Sequence, residues 1–477
     1  MKAGLAGISA LFCALSLQAA TLRITGGVVD YQVFQRGADN RADIAVSGSS
    51  DANGKTVEAR LVRKQVLVLG FDWMPLGQVA GGRFSGQLKG VPAGGPYRIE
   101  LRVAGTDASA AVDNVLVGDL WVLAGQSNMQ GVGDLVDTTM PHELVHNFDM
   151  ADHWLVAEEP LHTLAGATDR VHWPLNAQKQ PERYEGERLA KYVAERKKGA
   201  GLGLPFAVEM VRATGVPVGL LACAHGGTSM DQWSPALKDK GGDSLYGSML
   251  RRFRLAGGKV KGVLWYQGES DASPKAAPEF QAKFERFVAA VREDFGQPEI
   301  PFYYVQIGRH VNNQNVAEWN AVQEMQRKAE QTIPNSGLVP AIDVSLDDGI
   351  HVGTQDLKML GKRLANLALG RTKRGPRPIA ATFSNGVVRV AFAEVNGKLT
   401  SEGRISGFSI HVGSGEPLPL IFKARVDPQD PSAVLLSIGG KLPEGAVLHY
   451  GYGKDPYCNL RDEAGMGTPV FGPMAIQ

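Results

Sequence analysis

The sequence predicts an α/β protein in which a central parallel-sheet domain is flanked by an N-terminal and a C-terminal β-domain. Three observations lead there. Between about Gly118 and Gly370 short apolar strands alternate with helical stretches, the rhythm of a parallel sheet whose crossovers are helices. On both sides of that segment apolar residues alternate with polar ones at period two. The 58 glycines among 477 residues indicate many tight turns and close backbone approaches, which suits sheets better than a helical bundle. A chain of this length exceeds what one hydrophobic core usually supports, so more than one domain is expected.

The first element is Met1-Lys2, the apolar run Ala3 to Leu17 and the small-residue exit Gln18-Ala-Ala20, which reads as a secretory signal peptide over residues 1–20. The expected destination is the periplasm or the outside of the cell. No later run approaches the ~20 apolar residues that a membrane span needs, so no membrane role is expected after cleavage. Cleavage removes Cys13 and leaves Cys223 and Cys458, which fall in different expected domains and are not expected to pair. Lysine and arginine number 50 against 49 acidic residues, so bulk charge draws the chain neither to nucleic acid nor to an anionic membrane.

Residues 21–116 form the N-terminal β-domain: Thr56-Val-Glu-Ala-Arg-Leu61 and Tyr97-Arg-Ile-Glu-Leu-Arg-Val103 alternate, and Ala93-Gly-Gly-Pro96 supplies a turn. Residues 117–370 form the α/β domain, with strands expected at Leu120–Ala124, Val216–Ala222, Val260–Tyr266 and Phe302–Ile307. Phe280, Phe284, Phe287, Val288, Val291 and Phe295 line one helix face, and Leu357, Leu360, Leu364 and Leu367 another, with Thr354 as its expected cap. Arg371 to Pro378 reads as a linker into a C-terminal β-domain over residues 371–477, where Val388, Val390 and Phe392 alternate, as do Phe408, Ile410 and Val412.

Four short pieces at the ends of the central strands carry possible chemistry. Gly125-Gln-Ser-Asn-Met129 puts a serine on a strand-to-helix turn, with backbone N–H groups behind it that can face an oxyanion. In Asp348-Gly-Ile-His351 a carboxylate precedes a histidine by three residues and can orient its imidazole toward a nucleophile. His225-Gly-Gly-Thr228 and Trp265-Tyr-Gln-Gly-Glu-Ser-Asp271 offer a close-approaching backbone and a side-chain amide, the donors a tetrahedral intermediate requires. Taken singly, each also reads as an ordinary turn or a piece of core.

In this order the four pieces resemble the sialate O-acetylesterase group of SGNH-type serine esterases. Val33-Phe-Gln-Arg36, Val115-Leu-Val-Gly-Asp-Leu-Trp121 and Asp455-Pro-Tyr-Cys-Asn-Leu460 extend the resemblance over nearly the whole chain. The resemblance implies an SGNH-hydrolase, flavodoxin-like central domain and Ser127 as nucleophile. His351 would be the base and then the acid, and Asp348 its orienter. The oxyanion hole would comprise the Ser127 N–H, an N–H of Gly226 or Gly227, and the Gln267 side chain. The substrate would be an O-acetylated sugar, with acetylated sialic acid the namesake and acetylated xylan an alternative, and neither metal nor organic cofactor would be required. Gln126, Asn128, Trp233, Tyr266, Glu269 and the segment Asp152–His162 are candidate sugar contacts. Two departures stand out: Val352 replaces a proline frequent in the family after the histidine, and Asp347 stands beside Asp348 as a rival orienter.

Two other functions compete. Pro141-His-Glu-Leu-Val-His146 contains the His-Glu-x-x-His pattern, which on a helix would set His142 and His146 on one face for zinc. No long apolar-periodic helix continues past it and no third ligand has a diagnostic spacing, so the stretch is expected at the rim of the cleft. The remaining alternative is a non-catalytic glycan-binding protein.

Overall fold

In the computed structural model, which describes residues 20–413 and 415–477, the period-two segments near the N-terminus form antiparallel sheets. The signal segment and Cys13 lie outside the described residues, apart from Ala20. Along Arg41–Ser50 every second residue is buried, and Thr56–Arg63 pairs antiparallel with Gly94–Val103 so that Val57 faces Val103. These strands belong to a first unit comprising the residues up to Val29, Asp43–Val91 and Tyr97–Asp113.

The second unit takes Asp30–Ala42, Pro92–Pro96 and everything from Asn114 onward. Its central sheet holds β1 (Ser109–Gly125, in this unit from Asn114), β2 (Val145–Phe148), β3 (Trp154–Val156), β4 (Val218–Ala222), β5 (Gly262–Tyr266), β6 (Phe302–Gln306) and β7 (Ser336–Pro340). Their order is β3-β2-β4-β1-β5-β6-β7, parallel throughout except for the antiparallel edge strand β3. The helices that position the site or complete the core are α1 (Ser127–Gln130), α2 (Gly203–Thr214), α3 (Leu245–Leu255), α4 (Phe280–Asp294), α5 (Val316–Thr332) and α6 (Thr354–Ala368). Helices α2 and α6 pack together, as do α4 and α5. The expected stripe of α4 is buried, and Phe287 lies with its ring centre 4.5 Å from that of Trp265 on β5. The leucines of α6 are buried too, but Gly353 rather than Thr354 is its N-cap, and the Thr354 hydroxyl donates to Asp134 O instead.

The C-terminal segment has its own apolar cluster and antiparallel sheets. Arg377–Ser384, Val387–Ala393, Ala433–Ile438 and Ile421–Val426 form one; Phe408–Val412, Ala446–Tyr450 and Phe471–Ala475 form another. The chain nevertheless does not divide near residue 370, because buried polar links knit this segment to the α/β layers within one unit. Asp343, after β7, receives both Arg363 from α6 (2.6 Å) and Arg461 (2.5 Å). Burial alone would raise the Asp343 carboxyl, and the two guanidinium groups outweigh it and hold it below its ordinary value. The stretch expected as a linker ends in a strand whose first residue, Arg377, pairs with buried Glu330 at 2.7 Å.

Among the described residues no helix is long and apolar enough to cross a membrane. Cys223 and Cys458 are both buried, with free thiols.

Candidate active site

Strand β1 is where the sheet order reverses: the chain later places β4 on one side of it and β5 on the other. In an open parallel sheet such a switch point leaves a crevice at the carboxyl ends of the strands, because the loops on either side depart in opposite directions. Ser127 stands there. Gly125 makes the exit possible: at φ +129° it adopts a conformation that L side chains rarely take, and a Cβ would lie 2.2 Å from Tyr266 O on β5.

The loop after β7 brings His351 to that serine. Its Nε2 lies 3.1 Å from Ser127 Oγ, and its Nδ1 lies 2.8 Å from Asp348 Oδ2. The loop is rigid for a local reason: Asp348 Oδ1 accepts from the backbone N–H of Ile350 (3.0 Å) and His351 (2.9 Å), which leaves Oδ2 aimed at the ring. Burial acts to raise the Asp348 carboxyl, but the His351 hydrogen bond and the two backbone donors prevail and bring it down to about 2. The rival Asp347 is engaged elsewhere, since its Oδ2 accepts from Asp134 N–H at 3.0 Å. Lys198 Nζ lies 3.9 Å from Asp348 Oδ2 and 3.4 Å from Asp134 Oδ1, adding positive charge behind the carboxylate.

Asn128 locks these parts together. Its Oδ1 accepts from Val352 N–H (3.0 Å) and its Nδ2 donates to Glu269 Oε1 (2.9 Å), so the helix that begins at Ser127 is tied both to the histidine loop and to the loop after β5. A proline at position 352 has no N–H and would lose the first link. Next to the serine, a Cβ on Gly226 would sit 3.3 Å from Ser127 Cβ, so this backbone approaches Ser127 closely. The Gly226 N–H is engaged, donating to Gln130 Oε1 at 2.8 Å. The N–H groups of Ser127 and Gly227 meet no protein acceptor among the described residues.

Against known proteins, residues 117–370 match the family model described as carbohydrate esterase, sialic acid-specific acetylesterase. The chain belongs to this family. It is thus a carbohydrate esterase, a hydrolase acting on acetyl esters of sugars, and the family is the one its four motifs resemble. It is 27% identical over 275 residues to a probable carbohydrate esterase of Arabidopsis thaliana, covering 52% of this chain and 90% of that protein. It is 24% identical to the human sialate O-acetylesterase over 284 residues, 53% of each chain, so the match spans about half of that relative. Its fold is that of a carbohydrate acetylesterase from Xanthomonas citri, whose crystal structure superposes with a TM-score of 0.65 over 94% of this chain and 99% of that one, at 22% identity.

Several site residues expected from the sequence of this esterase are placed differently. Gln267 is fully buried, and its amide N–H groups are spent on Thr228 O (3.0 Å) and on Asp271 Oδ2, so it braces two loops and has no donor left for an oxyanion. The proposed sugar contacts Gln126, Asn128, Trp233, Tyr266 and Glu269 are all buried and closed to a sugar. Trp233 donates its indole N–H to Thr228 Oγ1 and packs on Trp265; Gln126 Oε1 accepts from Ser270 N–H. Burial raises the Glu269 carboxyl, against the Asn128 bond and the nearby His351. The segment Asp152–His162 is structural as well: Asp152 pairs with Arg251 and Arg252, Trp154 starts an edge strand, and His162 is buried.

The zinc pattern fails on geometry. His146 lies on β2, buried inside the sheet with Nδ1 2.6 Å from Tyr31 O, while His142 sits in the turn before it with Nδ1 accepting from Leu144 N–H. No helix carries them: the segment is a turn that leads into the amino end of a sheet strand, whereas the crevice lies at the carboxyl ends of the strands. Among the described residues no group of three or more His, Cys, Asp or Glu is placed to hold a metal ion. The sequence reading missed Gln130 and Lys198; only the four-residue spacing of Gln126 and Gln130, across one turn of a helix, could have hinted at a shared face.

Proposed function

We propose that this esterase removes O-acetyl groups from exported or extracellular sugars by a Ser-His-Asp acyl-enzyme mechanism, with O-acetylated sialic acids as the foremost substrates and acetylated xylan fragments as the alternative. The observation that carries the proposal is the continuous chain Ser127 Oγ, His351 and Asp348, with contacts of 3.1 and 2.8 Å. With Nδ1–H donated to Asp348, the ring presents its Nε2 lone pair to the serine hydroxyl, the tautomer a general base requires. Ser127 Oγ attacks the acetyl carbonyl carbon as its proton passes to His351 Nε2. The tetrahedral oxyanion takes hydrogen bonds from the N–H groups of Ser127 and Gly227, which have no protein acceptor to give up. The C–O bond to the sugar breaks, His351 returns the proton to the sugar oxygen, and water repeats the sequence to free acetate and Ser127.

A non-catalytic glycan-binding role does not fit an esterase in which these three groups are already in contact. Ser127→Ala should abolish acetate release from a chromogenic acetyl ester and from acetylated sialic acids while leaving the melting temperature within a few degrees. Retention of activity in a correctly folded variant would reject Ser127 as the nucleophile. Acetate release across acetylated sialic acids, acetylated xylan fragments and acetyl hexoses ranks the substrates, and absence of sialate turnover beside xylan turnover would favour the alternative.

A further inference from the structure

A buried line of polar groups ends one residue before the glycine pair. Asp169 pairs with Arg251 at 2.8 Å, and Ser248 Oγ donates to Asp169 Oδ2 at 2.6 Å. A hydroxyl has one hydrogen, so Ser248 has only lone pairs left for His172 Nε2, 3.1 Å away, and that nitrogen must carry a hydrogen. Burial holds His172 well below its ordinary value, so the ring is neutral and its Nδ1 is a bare acceptor. His225 Nδ1 lies 3.1 Å from it and must therefore be the donor. Burial brings His225 down to about 4, which keeps that ring neutral as well, and its Nε2 is left as a lone pair. Among the described residues Nε2 has no protein partner, and the ring lines a cavity of about 220 Å³ together with Val171, Thr228, Ser244 and Leu245.

We propose that this cavity is the subsite for the sugar ring whose ester is cut, and that His225 Nε2 accepts a hydrogen bond from a free hydroxyl of that ring. The proposal rests on the esterase mechanism above and adds the selection of the sugar. Two of the cavity's lining residues, His225 and Thr228, flank the glycine pair, and a Cβ on the first of these glycines, Gly226, would lie 3.3 Å from Ser127 Cβ, which sets the cavity beside the proposed nucleophile. Its volume is below the ~300–1,000 Å³ of drug-sized sites, so it suits one ring rather than an oligosaccharide. Apolar Val171 and Leu245 beside hydroxyl-bearing walls match the two kinds of surface a pyranose presents. The direction of the hydrogen bond gives the selectivity: a lone pair fixed by three preceding hydrogen bonds accepts from a hydroxyl, and an acetylated oxygen has no hydrogen to give. The preferred substrate therefore keeps at least one free hydroxyl next to the ester.

The test compares kcat/KM on an acetylated sugar with kcat/KM on methyl acetate, whose one-carbon leaving group does not reach into the cavity. His225→Phe keeps a ring without the acceptor and should lower the sugar-to-methyl-acetate ratio roughly 3- to 10-fold, mainly through KM, the scale of one lost neutral hydrogen bond. Val171→Trp, which fills the cavity, should lower it more than about tenfold. The wild type should prefer a monoacetylated hexose to its peracetylated form, and His225→Phe should erase that preference. A ratio unchanged in both variants, or equal losses on both substrates, overturns the subsite. Loss of the esterase mechanism would look different: Ser127→Ala would then retain turnover of both esters.

Discussion

Replacing Asp348 by asparagine should harm catalysis more than replacing it by alanine, although asparagine is the more conservative change. Asp348 Oδ1 accepts from the N–H groups of Ile350 and His351, and Oδ2 accepts from His351 Nδ1 at 2.8 Å. An asparagine has one oxygen, and two backbone donors compete for it, so its NH2 is turned toward the imidazole. Nδ1 must then accept, the hydrogen moves to Nε2, and the ring cannot take the Ser127 proton. A triad locked in the wrong tautomer loses about 10⁴ in kcat, or roughly 5.5 kcal/mol of barrier. Alanine leaves Nδ1 free to donate to water, so the correct tautomer survives and only the carboxylate's stabilisation of the imidazolium is lost. Because the Asp348 side chain is 41% exposed, solvent screens that term, and a ~10- to 100-fold loss is expected. Stability should run the other way, since asparagine still caps the loop and alanine does not. Steady-state kinetics on p-nitrophenyl acetate with parallel thermal melts decide it: if the alanine variant is no faster than the asparagine variant, the tautomer argument is wrong.

Val352→Pro removes the N–H that Asn128 accepts; a shift of His351 by a fraction of an ångström should cost ~10- to 100-fold in kcat with KM little changed, and an unaltered kcat would show that the link positions nothing. Glu159, pushed up to about 7 by burial against the Gly201 N–H and Lys358, should make stability depend on pH. Its folded value lies above the ordinary 4.5, so the folded state binds the proton more tightly, and stability is greatest below about pH 4.5 and declines as pH rises toward 7. Glu159→Gln, which can still accept from Gly201, should therefore stabilise the protein at pH 8 by ~1 kcal/mol, with ~3 kcal/mol as the ceiling from full linkage, and by almost nothing at pH 4. Denaturant titrations at the two pH values test this, and a gain independent of pH would refute it.

Much of the fold was legible because its pattern was amphipathic. The alternating strands Thr56–Arg63 and Gly94–Val103 and the phenylalanine stripe of α4 each bury one face, and a half-buried element leaves its period in the sequence. Strand β2 left none: Val145, His146, Asn147 and Phe148 are all buried on both faces, so nothing alternates and a metal-site pattern could be read in its place. The C-terminal segment was expected as a separate domain because its composition and period change near residue 371. Among what joins it to the rest are ion pairs spanning 47 and 118 residues, Glu330 with Arg377 and Asp343 with Arg461, and no local pattern announces such pairs.

The site divides the same way, and the reason bears on what the motifs mean. Serine, histidine and aspartate could be placed from sequence because each sits at a strand end where the topology forces loops together. The other motif residues look like substrate ligands, being polar or aromatic beside the nucleophile, yet they brace loop against loop: Gln267 to Thr228, Asp271 to Met230, Asn128 to both Glu269 and Val352. Such a brace must be buried to be rigid, which closes it to a sugar. The long Gln-Gly-Glu-Ser stretch therefore braces the loops around the proposed triad of Ser127, His351 and Asp348 and says little about which sugar is bound. In the proposed subsite, sugar selection falls to the one polar motif residue that leads the glycine pair, His225, whose Nε2 lone pair is defined by partners 53, 76 and 79 positions apart along successive links. Relatives could share every brace and still differ in substrate, if the residues lining that cavity differ.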